Sequence, residues 1–226
     1  MDERQIDGPW RPGEAREPII RAPWTIVVLC IGLVALYAVQ SLTHLDVARS
    51  PLALSATGLE AGRWLPLITS LFLHGSWPHV LINAVAALAY GPPVARLLGT
   101  DVRGALVFSA FYLVCGVAGG LGYVALNPHD PTPLVGASGA ISGLLGAASR
   151  LLEGRGRIGP MFGSTVIGMA IAWTIINVVL GVSGLTPGAG DMKVAWQAHV
   201  VGYAAGVLLI GVFARLAGAT QAAFTH

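Results

Sequence analysis

The chain has 226 residues, of which 54% are hydrophobic and 11% charged, against about a quarter charged in ordinary soluble domains. That composition excludes a water-soluble globule. A formal net charge of +2 with singly scattered arginines also excludes a nucleic-acid surface, which needs clustered basic residues.

Residues 1–22 are polar and carry Pro9, Pro12, Pro18, Arg4, Arg11, Arg16 and Arg21. They read as a cytoplasmic N-terminal segment and not as a cleavable leader, so the first span is expected to stay in the mature protein. Taking apolar stretches of about 17–25 residues as bilayer-crossing, the sequence predicts an all-α membrane protein. Its six helices fall at 24–42, 77–93, 104–126, 136–152, 162–183 and 194–216, within a membrane domain over 23–217 and before a short tail at 218–226. The 43–76 stretch is only partly polar, with Leu52, Leu54, Leu59, Trp64, Leu71 and Phe72, and is expected to lie in the membrane interface.

Orientation follows from the arginines, because cytoplasmic loops are enriched in positive charge. With alternating helices, the N-terminal arginines share one side with Arg96, Arg103, Arg150, Arg155, Arg157 and Arg215, while Arg49, Arg63 and Lys193 fall on the other. Both termini are predicted cytoplasmic, and the 127–134 and 184–193 loops external. The expected location is a prokaryotic cell membrane. Cys30 and Cys115 fall inside predicted spans without CxxC spacing, which reads as buried, inert thiols. No metal centre and no cofactor are expected.

A charged side chain in mid-span costs roughly 2.5–3.5 kcal/mol on insertion scales, so polar groups there need a reason. Three places stand out. His79 and Asn83 are four residues apart on the second span and share one helix face, with Ser76 and Pro78 marking the helix start. Ser138, in Val135-Gly136-Ala137-Ser138-Gly139-Ala140, opens the fourth span, where free backbone N–H groups and the positive end of the helix dipole could stabilise an oxyanion. His199 is the single histidine of the sixth span, with no carboxylate inside any span to pair with it, as suits a neutral general base. Against these stand blander readings: interhelical hydrogen bonds for the histidines and Asn83, and an N-cap for Ser138. Gly139, Gly143 and Gly146 on the fourth span, and Ala198, Gly202 and Gly206 on the sixth, have the small-xxx-small spacing that lets two helices approach closely. Ser138 and His199 each adjoin such a face.

Phe72-Leu73-His74, then His79 and Asn83, Tyr112 on the third span, Gly136-Ala137-Ser138-Gly139 on the fourth, and Ala198-His199 with Gly202 and Gly206 on the sixth form an ordered set. With it the chain resembles the rhomboid family of intramembrane serine proteases. The resemblance implies a six-helix rhomboid-like bundle and a serine endopeptidase whose Ser138 and His199 form a dyad. It implies cleavage of transmembrane protein substrates within the lipid bilayer, near their external ends. It further implies that Asn83 and His79, with the Ser138 amide, line the oxyanion site, with Gly136 of the same motif as a binding position. Water must reach this depth through a cavity roofed by the 184–193 loop or part of the fifth span.

Three positions depart from the family pattern. Arg63-Trp64 stands where relatives carry Trp-Arg, and Pro92, Pro93 and Arg96 stand where an acidic residue often follows. Ser142 occupies the place of an aromatic residue that packs on the histidine ring. Space is therefore expected beside His199, with Trp196 or Tyr203 of its own helix as substitutes. Two rival readings are a non-catalytic rhomboid-like protein that binds membrane helices and a small-solute transporter. The full polar set argues against the first, and the absence of an inverted repeat against the second.

Overall fold

The computed structural model describes residues 22–130, 132–184 and 194–219. Most of the polar N-terminal segment, the tail beyond Ala219 and nearly all of the 184–193 loop lie outside the described residues. Among the described residues the protein is helical, with no strand.

α1 (Trp24–Leu42) starts directly after Pro23, whose fixed φ suits a chain entering a helix. The connection to the second long helix is structured. A 3₁₀ turn at Val47–Arg49 is followed by α2 (Ala56–Glu60), α3 (Pro66–Thr69) and a second 3₁₀ turn at Ser70–Phe72. Ser55 caps α2 through Gly58 N at 3.1 Å, and the Thr69 hydroxyl donates to Leu52 O at 2.8 Å. The Gln40 side chain clasps the His74 backbone from both sides, donating to its carbonyl at 2.6 Å and accepting from its N–H at 3.1 Å.

α4 (Trp77–Leu98) is capped by Ser76, which accepts from His79 N at 3.2 Å, and has Pro78 in its first turn. The sequence predicted an end at residue 93, yet the helix runs on through Pro92 and Pro93 to Leu98. Each proline removes one donor but leaves its carbonyl free to accept. Burial of Val94, Ala95, Leu97 and Leu98 holds the last turn in place. α5 (Val102–Leu126) follows within four residues, because a side chain at Gly104 would collide with the Gly99 carbonyl and Asp101 caps Gly104 N at 2.8 Å.

α6 (Ser138–Glu153) is enclosed by its neighbours: every residue from Gly139 to Leu151 is buried. α7 (Ser164–Ser183) is held at its start by the Glu153 carboxylate, which accepts from Thr165 N at 2.7 Å. α8 (Trp196–Ala217) ends at Gly218, whose φ of 76° gives a left-handed cap. Five helices, α1, α4, α5, α7 and α8, are long and apolar enough to cross a membrane. At 16 residues α6 is shorter, and it forms the centre of the bundle.

The small-residue faces of α6 and α8 meet. A Cβ added at Gly202 would collide with the Gly139 carbonyl, one at Gly206 with Gly143 O, and one at Gly146 with Tyr203 O. Cys30 and Cys115 are free and buried, with the Cys30 thiol donating to Ala84 O at 3.4 Å.

Candidate active site

Ser138 is the first residue of α6, and the chain leading to it is pinned by the structured connection after α1. Leu134 exchanges backbone hydrogen bonds with Leu54, and Gly136 N donates to Ser70 O at 2.9 Å. Gly136 has a φ of 119°, a conformation that side chains rarely adopt. A Cβ there would also lie 2.8 Å from His79 Nε2 and 3.7 Å from Ser138 Oγ. The missing side chain thus lets the His79 ring lie against the backbone beside the serine. Because Gly136 N is already bonded, its own amide is not a spare donor. No side chain caps α6, and the N–H groups of its first turn lack intrahelical partners.

His79 Nδ1 accepts from Gly75 N at 3.4 Å, which puts the ring proton on Nε2, the nitrogen facing Gly136. Asn83, buried one turn further along, donates from Nδ2 to His79 O at 3.1 Å. An amide has two N–H donors, so this bond leaves Asn83 one more. His74, before the span, is fully buried with its ring 5.1 Å from that of His79. Burial first, and the neighbouring His79 second, push its imidazole down to about 3.

His199 sits in the first turn of α8, whose start is tied to the end of α5 by Gln197 donating to Asn127 Oδ1 at 3.3 Å. Its Nε2 lies 2.7 Å from Ser138 Oγ. Its Nδ1 meets Asn177 Oδ1 of α7. The Asn177 amide nitrogen donates to Trp173 O at 2.8 Å, so its oxygen is the atom presented to His199. An amide oxygen only accepts, and the hydrogen-bond network therefore assigns the proton to Nδ1 and leaves Nε2 as the acceptor for the serine hydroxyl. Ser138 and His199 are both half-buried.

The structure thus brings Ser138, His199, His79 and Gly136 together, with Asn83 one turn away. The space expected beside His199 is occupied. Ser142 is fully buried and its hydroxyl donates to Ser138 O at 2.7 Å. The aromatic neighbour of the histidine ring is Trp173 of α7, at 6.3 Å between centroids. It is neither of the substitutes expected from α8: Trp196 packs against Gly181, and the Tyr203 hydroxyl lies 3.0 Å from both Ser149 Oγ and Val166 O. Asn177 and Trp173 were missed from sequence, although Asn177 is an amide inside an otherwise apolar span and so carried the same signal as Asn83.

A rhomboid domain family model matches residues 61–216. The chain is 37% identical over 89 residues to the rhomboid protein YdcA of Bacillus subtilis (strain 168), covering 39% of this chain and 42% of that protein. It is 38% identical over 87 residues to the chloroplastic RHOMBOID-like protein 9 of Arabidopsis thaliana, covering 38% and 18%. To the rhomboid protease GluP of Bacillus subtilis it is 34% identical over 89 residues, covering 39% and 16%. In each case the matched stretch is less than half of the relative's length.

Proposed function

Since the chain belongs to the rhomboid family and is a multi-pass integral membrane protein, we propose that it is a serine endopeptidase that cuts transmembrane segments of other membrane proteins. The observation that carries this reading is the 2.7 Å approach of His199 Nε2 to Ser138 Oγ, at the uncapped start of a helix.

In the reaction, Ser138 Oγ attacks a peptide carbonyl carbon while its proton passes to His199 Nε2. The oxyanion that develops falls near the first-turn N–H groups of α6, His79 Nε2–H and the Asn83 amide, all of them donors in a largely water-poor setting. The imidazolium returns its proton to the leaving amine as the C–N bond breaks, leaving an acyl-enzyme on Ser138. Water that reaches the half-buried pair then attacks the ester with His199 again as base. Hydrolysis frees the serine.

A substrate helix has to unwind to present its backbone, so Gly or Pro near the cut favours cleavage. The arginine distribution supports cytoplasmic termini, which puts the Ser138 end of α6 toward the opposite face of the membrane.

The test is proteolysis of a single-span reporter by the purified protein in liposomes. Cleavage is expected from the wild type and not from Ser138→Ala or His199→Ala. A well-folded wild type that binds the reporter without cutting it would overturn the protease reading in favour of helix binding.

A further inference from the structure

The fifth long helix buries only two of its side chains, Val166 near its start and Asn177 toward the other end. An amide held inside a membrane bundle has a cost that some partner must offset. The simplest partner would be a backbone carbonyl of a neighbouring helix, which would make Asn177 adhesive and nothing more. The geometry differs from that. The Asn177 nitrogen is committed to Trp173 O on its own helix, and its oxygen meets the Nδ1 of His199.

We propose that Asn177 is a positioning residue for His199. It holds the proton on Nδ1 and aims Nε2 at Ser138 Oγ, so that the base is oriented from α7 and not from its own helix. This rests on the reading of Ser138 and His199 as nucleophile and base. Trp173, one turn earlier on α7, lies against the same imidazole at an interplanar angle of 35°, so α7 supplies both the acceptor and the wall that limits ring tilt. Among the described residues, the groups facing His199 from packed elements are Ser138 of α6, Asn177 and Trp173 of α7 and, as its titratable neighbour, His79 of α4. None is a carboxylate. Asn177 therefore fixes the tautomer without placing a counter-charge beside the base.

The test is the rate at which a fluorophosphonate probe labels Ser138, followed against pH in the wild type, Asn177→Leu and Asn177→Asp. Leucine keeps comparable bulk without an acceptor, and labelling is expected to slow roughly 10- to 100-fold, by analogy with the loss of a hydrogen-bonding partner that orients a metal-bound histidine. Aspartate restores the acceptor and adds a charge, which favours the imidazolium. Labelling at high pH should then return to within several-fold of wild type, with the midpoint of the pH profile raised by roughly 1 unit or more. Either variant alone decides the matter if the other fails to fold. Wild-type labelling rates in Asn177→Leu, or a pH profile in Asn177→Asp that superimposes on the wild type, would overturn the positioning role. A wild type that does not label at Ser138 would instead remove the underlying protease chemistry, a separate and recognisable result.

Discussion

α6 and α7 are consecutive helices of one bundle, and they are built on opposite rules. From Gly139 to Leu151 α6 exposes nothing, and its glycines sit so close to α8 that a Cβ from the facing glycines would strike its carbonyls. α7 buries only Val166 and Asn177, and a Cβ at its Gly168 would meet nothing within 4 Å. Close backbone packing without side chains is rigid, because no rotamer can give way. A helix held by one buried residue toward each end is comparatively free to shift. The serine is thus carried by the most enclosed helix, and the second partner of the histidine by the least enclosed of the spans.

Gly206→Val tests the rigid half most severely. Its side chain would drive into the Gly143 carbonyl, and an expected loss of about 3 kcal/mol or more should appear in thermal unfolding in detergent as failure to obtain folded protein. Gly136→Ala should come next, at roughly 1–3 kcal/mol for a side chain at positive φ. Because the new methyl also presses on His79, probe labelling of Ser138 should fall more steeply than stability does. Tyr203→Phe removes the hydroxyl near Val166 O, one of the few attachments of α7. It should cost about 1 kcal/mol and speed hydrogen exchange in the first turns of α7 more than in α6, which loses only the bond to Ser149 Oγ and keeps its close backbone packing on α8. Gly168→Val should change stability by less than about 0.5 kcal/mol, and a large loss there would erase the contrast between the two helices.

Much of this arrangement was legible in the sequence. Hydropathy located the long helices to within a few residues except at the end of α4, which runs past Pro92 and Pro93 because the following turn is buried. The glycine spacing on the fourth and sixth stretches anticipated how closely α6 and α8 meet, since that spacing has a direct steric meaning. The residues around His199 were harder to read. An aromatic neighbour was sought one turn from Ser138 or on the histidine's own helix, whereas Trp173 arrives from α7, and only three-dimensional packing sets which face of α7 turns inward. Asn177 was passed over although it is an amide inside an apolar span, and its partner lies 22 positions away with no periodicity linking the two. The role of the 43–76 stretch was also hidden. Expected to lie along the interface, it pins the backbone before Ser138 through Leu54 and Ser70.

The amide beside His199 has a consequence for energetics across the membrane. Ser164–Ser183 contains no charged residue, and among the described residues the groups gathered around the base are hydroxyl, amide, indole and imidazole. Moving one elementary charge through the full transmembrane voltage is worth about 2.3 kcal/mol per 100 mV, and a displacement of α7 that releases or regains His199 moves none. On the proposed protease reading, cleavage is therefore expected to run at the same rate in energised and de-energised vesicles.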